Sequence, residues 1–167
     1  ITSKEGEGSE FIITLPFEIA DAKKKPERKK NGRQMEKSLE GLHLLLVEDN
    51  ELNAEIAETL LTDRGFRITV ATDGQQAIDL FELNSPGTYD AILMDVMMPV
   101  VDGLTATRAI RAFDREDAKT IPIIAMTANA FDEDVKQCLE AGMNAHLSKP
   151  LQINQIMETL AKYCGKP

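Results

Sequence analysis

An apolar run that ends in a carboxylate is the feature of this sequence with the clearest chemical meaning. Residues 91–103 read Ala-Ile-Leu-Met-Asp-Val-Met-Met-Pro-Val-Val-Asp-Gly. The apolar residues before Asp95 predict a buried strand, and Pro99 with the later Asp-Gly pair predicts a change of chain direction. Open parallel α/β sheets bind ligands at the carboxyl ends of their strands, so Asp95 would face a substrate there. An aspartate at this place could equally cap the next turn, and this stretch alone does not choose.

Two further acids follow a second apolar run. Residues 42–47 predict a strand, and Glu48 and Asp49 come directly after it, before a helical pattern begins. Like charges in one place repel each other, so adjacent acids at a buried strand end are costly without a cation. Together with Asp95 they would form a pocket of three carboxylates suited to Mg²⁺, which prefers carboxylate and water oxygens. The alternative is an acidic pair at a helix N-terminus, favoured by the helix dipole.

The order and spacing of these residues resemble the receiver domain of two-component response regulators. Thr127 and Ala128 follow another apolar run, and Lys149 and Pro150 follow a short strand-like segment. An acid pair, an aspartate, a threonine and a Lys-Pro pair, each after a predicted strand, form a specific set. The resemblance covers residues 42–164.

The resemblance implies that Asp95 accepts a phosphoryl group with the help of Mg²⁺. Phosphoryl transfer depends on positioning and charge neutralisation, which gives the ion its role. Lys149 would pair with Asp95 and then with phosphoryl oxygens. The Lys149–Pro150 peptide bond is cis in the receiver pattern, which would aim the ammonium inward. Thr127 and Ala128 would contact the phosphoryl group. The implied metal ligands are Glu48, directly or through water, Asp49, Asp95 and the backbone carbonyl of Met97.

Several of these residues have ordinary explanations or depart from the receiver pattern. A lysine is most often simply exposed, and a threonine at a strand end often forms a local turn. In receivers Thr127 would act as a switch with an aromatic residue of the last strand. That position here is His146, whose ring is polar and titratable near neutral pH, so an exposed surface histidine is equally consistent. Met97 offers no polar group to orient a water, which predicts that Met97→Asn and Met97→Glu change the rate of dephosphorylation.

Apolar runs and helical patterns alternate five times from residue 42 onward. Short apolar strands between helices predict a parallel sheet covered on both faces. Right-handed crossovers leave few topologies, and we expect a doubly wound α/β fold, with a five-stranded sheet of the flavodoxin-like order 2-1-3-4-5 and five helices. This order would bring the two acidic strand ends together. The predicted strands span residues 42–47, 66–71, 90–94, 121–126 and 145–147, and the predicted helices residues 51–64, 74–83, 104–113, 133–141 and 153–163.

Composition limits the classes of protein to which the chain could belong. It has 167 residues, 43% of them hydrophobic, and a net charge of −9, which fits one ordinary domain with some chain to spare. There is no long uncharged apolar stretch, so we expect no membrane contact and a cytoplasmic location, although a parent kinase could be membrane-anchored.

Cys138 and Cys164 lack metal-ligand spacing and are predicted to be reduced thiols. Residues 42–167 carry 10 basic and 20 acidic side chains, which argues against direct nucleic-acid binding.

The first 41 residues predict two segments outside that domain. Residues 6–17 predict a flexible turn followed by a strand that ends near Pro16. They resemble the last glycine-rich turn and final strand of the ATP-binding domain of sensor histidine kinases, so residues 1–20 are interpreted as such a tail; an unrelated edge strand is the alternative. Residues 21–41 carry 8 basic and 4 acidic side chains without apolar periodicity, which predicts an extended basic linker.

Three functions compete for this chain. The first is a phosphoacceptor receiver domain at the C-terminal end of a hybrid sensor histidine kinase, whose partner is a histidine kinase or histidine phosphotransfer domain. It would be a monomer or a weak phosphorylation-dependent dimer, and would catalyse only its own phosphorylation and dephosphorylation. The second is a metal-dependent phosphatase with an aspartyl-phosphate intermediate. Phosphatases of the haloacid dehalogenase type place an acid two residues after the nucleophile, where Met97 stands. The third, a receiver that only docks, is disfavoured by the complete set of site residues.

Overall fold

The computed structural model describes residues 2–4, 6, 8–10, 12, 39–128 and 132–164. A short antiparallel hairpin at the start of the chain joins strand β1, Thr2–Lys4, to strand β2, Gly8–Glu10. Most of the predicted tail strand that ends near Pro16, and nearly all of the predicted linker, lie outside the described residues.

The main body is built on a parallel sheet of five strands. These are β3, His43–Val47; β4, Arg67–Ala71; β5, Ala91–Asp95; β6, Ile123–Thr127; and β7, Ala145–Ser148. Their order across the sheet is β4-β3-β5-β6-β7, and every neighbouring pair is parallel. Counted within the sheet this is the order 2-1-3-4-5, so the predicted fold class is confirmed.

In the part of the chain that the structure describes, six helices accompany these strands, one more than predicted. They are α1, Glu51–Thr62; α2, Gly74–Leu83; α3, Gly103–Ala112; α4, Glu116–Thr120; α5, Asp132–Ala141; and α6, Ile153–Cys164. The helix missing from the prediction is α4, a single polar turn in which only Ala118 is buried, so it has no apolar period to detect. The other five lie close to their predicted positions. Asn50, Asp73 and Asp102 cap α1, α2 and α3 through their side-chain oxygens.

The hydrophobic core forms two layers, because successive residues of a strand point to opposite faces of the sheet. Leu45 of β3 and Ile92 of β5 belong to the layer that also contains residues of α2, α3, α4 and α5. Leu44 and Leu93 belong to the other layer, which contains residues of α1 and α6. The central strands β5 and β6 are buried along their whole length, and this fixes the strand ends rigidly.

Leu39 packs against the main domain although it precedes the predicted boundary. Its position falls within the segment predicted to be linker, yet its side chain is fully buried in the layer of α1 and α6. The backbone N–H of Leu42 donates to the Leu39 carbonyl at 3.3 Å, and the N–H of Gly41 donates to the Gly65 carbonyl at 2.9 Å. Packing of this domain therefore begins before the predicted boundary at residue 42.

Two hydrogen bonds pair Arg115 with Asp117 at the start of α4, and further hydrogen bonds from this pair reach α2 and the segment after it. Arg115 Nε and Nη2 each donate to a carboxylate oxygen of Asp117 at 2.7 Å. Asp117 also accepts from the backbone N–H of Gly87 at 2.9 Å, and Arg115 Nη1 donates to the Phe81 carbonyl at 2.7 Å. The hydrogen bonds from Arg115 lower the pKa of Asp117 to about 2.

We expect Asp117→Asn to lower the free energy of unfolding at neutral pH by about 1 kcal/mol, since solvent screens a pair at the surface. The folded-state pKa of Asp117 lies below the unfolded value, so its contribution is complete above about pH 4 and is lost as the pH falls toward 2. Urea unfolding at several pH values should show the two proteins converging over that range. Asp114→Asn, at a nearby exposed acid, is the control. A difference that stays constant with pH would contradict this assignment.

Candidate active site

Three acids meet at the carboxyl edge of the sheet because β3 and β5 are direct neighbours. Val47 and Met94 are paired in register, so the residues that follow them, Glu48 and Asp95, leave the sheet side by side. Ligand oxygens of Glu48, Asp49 and Asp95 all lie within 4.8 Å of one another. Glu48 and Asp95 are buried, at 3% and 4% exposure, whereas Asp49 is exposed.

Lys149 lies between the two buried acids. Its Nζ donates to Glu48 Oε2 and to Asp95 Oδ2, each at 2.6 Å. The residue follows β7, and its backbone N–H donates to the Thr127 carbonyl at 2.8 Å. The Lys149–Pro150 peptide bond is cis. A single ammonium therefore compensates two carboxylates that burial has removed from water.

The remaining oxygens of these two acids also accept hydrogen bonds. Asn53 Nδ2 donates to Glu48 Oε1 at 3.0 Å, and the backbone N–H of Met97 donates to Asp95 Oδ1 at 3.1 Å. Asn53 was absent from the predicted site. The available signal was an asparagine in the first turn of α1, which is ordinarily interpreted as a capping residue.

The environment shifts the pKa of both members of the Lys149–Asp95 pair upward. Burial raises the pKa of Asp95, and this outweighs the opposing hydrogen bonds from Lys149 and Met97. Burial alone would lower the pKa of Lys149, but its hydrogen bonds to Asp95 and Glu48 prevail and raise it. The folded protein therefore favours the protonated form of Lys149, and ionising Asp95 costs more free energy there than in water.

The other predicted site residues surround this centre at different depths. Thr127 is buried at the end of β6, and Ala128 beside it is exposed. The two residues line one cleft together with Met97, whose side chain is 76% exposed. His146 is exposed on β7, where it borders a shallow depression with Gln155 and Glu158 of α6. The structure thus brings the acids and Lys149 together and leaves His146 at the surface.

The chain that follows β5 folds back and packs against the backbone of Asp95. Gly103, the first residue of α3, packs so closely that an added Cβ would overlap the backbone carbonyl oxygen of Asp95. Its N–H donates to the Val96 carbonyl at 3.1 Å. Val100, at the tip of the loop, has a φ of 66° and is 87% exposed. The Val101 N–H donates to the Pro99 carbonyl at 2.8 Å across it, which forms a γ-turn.

A parallel sheet of this order, with three acids and a lysine at its carboxyl edge, defines the receiver class of signalling domains. A family profile described as the response regulator receiver domain matches residues 44–161. The chain belongs to this family, and it is a receiver domain of two-component phosphorelay signalling.

The sequence of the chain is similar to that of several curated histidine kinases. It is 43% identical over 133 residues to an osmosensing histidine protein kinase of Saccharomyces cerevisiae, an alignment that covers 78% of this chain and 11% of the kinase. The chain spans only 5% to 15% of the length of the curated histidine kinases that it matches.

Two of the solved structures that share its fold bear on the site. One is the receiver domain of a sensor histidine kinase from Pseudomonas aeruginosa, with a magnesium ion coordinated in its active-site cleft. That domain is 44% identical with a TM-score of 0.68, and the match covers 75% of this chain and 99% of that one. The other is a response-regulator receiver domain of S. cerevisiae in complex with a histidine phosphotransfer protein, at 25% identity and a TM-score of 0.66, covering 75% and 90%.

None of the helices in the described part of the chain is both long and apolar enough to cross a membrane.

Proposed function

We propose that this chain accepts a phosphoryl group on Asp95 from a phosphohistidine. The observation that carries the proposal is the buried Asp95 carboxylate at the end of a central strand, with the Lys149 ammonium 2.6 Å from it. A carboxylate oxygen of Asp95 attacks phosphorus, the bond from phosphorus to the imidazole nitrogen breaks, and that nitrogen keeps the electron pair. The product is an acyl phosphate on Asp95 and a free histidine on the donor.

The acids at this site fit a divalent cation. Three carboxylates converge within 4.8 Å, and hard oxygen donors of this kind suit Mg²⁺. The residues that would hold it are Glu48, Asp49, Asp95 and the backbone carbonyl of Met97. When bound, Mg²⁺ supplies the positive charge that lets an anionic oxygen approach an anionic phosphoryl group.

The side chains around Asp95 would share the charge of the transferred group. Lys149, already within hydrogen-bonding distance of Asp95, provides a point charge for the phosphoryl oxygens. Thr127 and Ala128, at the end of the neighbouring strand β6, would contact the same group through hydroxyl and backbone N–H. A switch that joins Thr127 to His146 is also part of the proposal. Because His146 is exposed, its ring would start from a solvent-facing position in such a switch.

The parent protein that fits best is a hybrid histidine kinase, which could be membrane-anchored, with this part of the chain in the cytoplasm. In support, the curated relatives are histidine kinases many times longer than this chain. Residues 1–20 would be the end of an ATP-binding domain, residues 21–41 a linker, and the receiver domain would follow. A histidine kinase or histidine phosphotransfer domain is the proposed partner, and the isolated domain is proposed to be a monomer or a weak phosphorylation-dependent dimer that does not bind nucleic acid.

The phosphatase alternative is not favoured. The position two residues after Asp95 is occupied by Met97, whose thioether cannot act as a general acid. Its contribution to Asp95 is a backbone N–H at 3.1 Å.

Transfer from a phosphorylated histidine tests the proposal directly. A histidine phosphotransfer domain carrying radioactive phosphate, mixed with this chain and Mg²⁺, should pass its label to the chain. Mass spectrometry of the borohydride-trapped acyl phosphate should place the label on Asp95. Omitting Mg²⁺ should slow transfer strongly, because the charges then lack a neutralising ion. Label recovered at another residue, or transfer indifferent to Mg²⁺, would refute the proposal.

Met97 should influence how long the phosphoryl group survives. Its exposed side chain borders the cleft beside Asp95 and has no group that can orient an attacking water. Met97→Asn and Met97→Glu should therefore shorten the phosphoryl half-life, by roughly threefold or more, since a positioned polar group assists hydrolysis. Met97→Leu, which keeps an apolar side chain, should match the wild type. Loss of label with time after removal of the donor is the measurement, and unchanged half-lives in both polar variants would dismiss the idea.

A further inference from the structure

A side chain outside the predicted site completes the hydrogen bonding of Glu48. Asn53 Nδ2 donates to Glu48 Oε1 at 3.0 Å, while Lys149 Nζ donates to Glu48 Oε2 at 2.6 Å. Each oxygen of a carboxylate that is only 3% exposed thus has its own donor. Lys149 continues to Asp95, and the Met97 N–H closes the series at 3.1 Å. The network runs unbroken from the first turn of α1 to the proposed phosphoacceptor.

The side chain of Asn53 is not needed to begin the helix. The N-terminus of α1 is capped by Asn50, whose Oδ1 accepts from the backbone N–H of Asn53 at 3.0 Å. Any residue except proline at position 53 would supply that N–H. The amide side chain is therefore available for Glu48. Its orientation is determined as well, because only the NH₂ group of an asparagine can donate to a carboxylate.

We infer that Asn53 is a positioning residue of the metal pocket, which it serves by holding Glu48 in a fixed rotamer beside Asp49 and Asp95. This inference rests on the proposed function, since the pocket must bind Mg²⁺ for its geometry to matter. A carboxylate with one free oxygen could rotate away from its neighbours, and a donor on each oxygen prevents that rotation. Loss of a group that orients a metal ligand typically weakens metal binding by roughly tenfold or more.

The Mg²⁺ affinity of Asn53→Ala measures this role. The full 167-residue chain, labelled with ¹⁵N, is titrated with MgCl₂ while the amide shifts of Asp95 and Met97 are followed. The Kd for Mg²⁺ should rise roughly tenfold, as expected when a metal ligand loses one hydrogen bond to its charged group. The melting temperature without Mg²⁺ should fall only modestly, because the better helix propensity of alanine partly offsets the loss of a donor to the buried Glu48 Oε1.

Two comparisons make the result specific. Gln75 offers a matched control, since its amide Nε2 donates to the Asp79 carboxylate at 2.8 Å on the exposed surface of α2. Gln75→Ala removes the same kind of hydrogen bond and should leave the Kd unchanged. In a Glu48→Ala background, Asn53→Ala should have no further effect, because the side chain that it positions has gone.

Each other outcome overturns the inference in a distinguishable way. An unchanged Kd in Asn53→Ala, with or without a change in melting temperature, shows a local structural role alone. A tenfold loss that persists in the Glu48→Ala background shows that Asn53 acts on the ion by another route. Wild-type chain without Mg²⁺-dependent shifts would reject the inference together with the proposed function, whereas a shift in the wild type leaves the latter standing.

Discussion

Asp95→Asn should abolish phosphoryl labelling of this chain by acetyl phosphate and by a phosphorylated histidine donor. The amide is nearly isosteric with the carboxylate but is not a nucleophile, so we expect labelling to fall by at least about a hundredfold. The measurement is the amount of hydroxylamine-labile, acyl-linked phosphate on the chain after incubation with Mg²⁺.

Stability should not account for this loss. Burial raises the pKa of Asp95, which means that the folded protein disfavours its charged form relative to water. Above the folded-state pKa such a group reduces stability, so removing the charge should leave the melting temperature unchanged or higher. Lys149 keeps a partner in the variant, because Glu48 Oε2 lies 2.6 Å from its Nζ.

Asp102→Asn is the matched control for this experiment. Asp102 lies in the same loop, is exposed, and accepts from the Thr105 N–H as the cap of α3. Asparagine is an equally good cap, so this variant should be labelled like the wild type. Labelling that survives in Asp95→Asn, or that is lost in both variants, would remove the basis for calling Asp95 the phosphoacceptor.

Gly103→Ala should cost about 3 kcal/mol of unfolding free energy, because overpacking against an immobile backbone forces shifts. The added methyl group would overlap the Asp95 carbonyl oxygen and lie 3.0 Å from Met94 Cγ. Both residues belong to β5, which is buried along its whole length and cannot move aside. Urea unfolding followed by far-ultraviolet circular dichroism measures the difference.

The same helix supplies a control for Gly103→Ala. Thr105 is exposed two residues later, and Thr105→Ala should change stability by less than about 0.5 kcal/mol. The fraction of Gly103→Ala that remains folded should also accept phosphate more slowly, because the carboxylate of Asp95 is carried by the backbone that is displaced. A fully stable Gly103→Ala would mean that α3 can slide away from β5.

The fold could be predicted because its strands are short, apolar and separated by helices of clear period. The acidic pocket followed from the same reasoning, since parallel strands end at one edge and adjacent strands bring Glu48 and Asp95 together. The single turn of α4 could not be predicted, because its five residues are too few and too polar to show a period.

Several side-chain contacts between distant parts of the chain could not be predicted from the sequence. The resemblance implied that Lys149 pairs with Asp95, but the equally short contact of Lys149 with Glu48 was not predicted, because these residues lie 101 positions apart and meet only through packing. The contact of Asn53 with Glu48 was hidden by the commoner use of asparagine as a helix cap. Leu39 was hidden by charged neighbours, which made a single buried leucine look like part of a linker.

The buried Leu39 also bears on where this domain should be cut. A fragment that begins at Leu42, or at residue 44 where the family match starts, would delete a leucine that fills the layer of α1 and α6. Losing a fully buried leucine typically costs 2 to 5 kcal/mol, roughly a third of what holds an ordinary domain folded. The family match therefore begins inside the packed core, and we expect weak activity in a closely trimmed fragment to reflect missing core rather than missing chemistry.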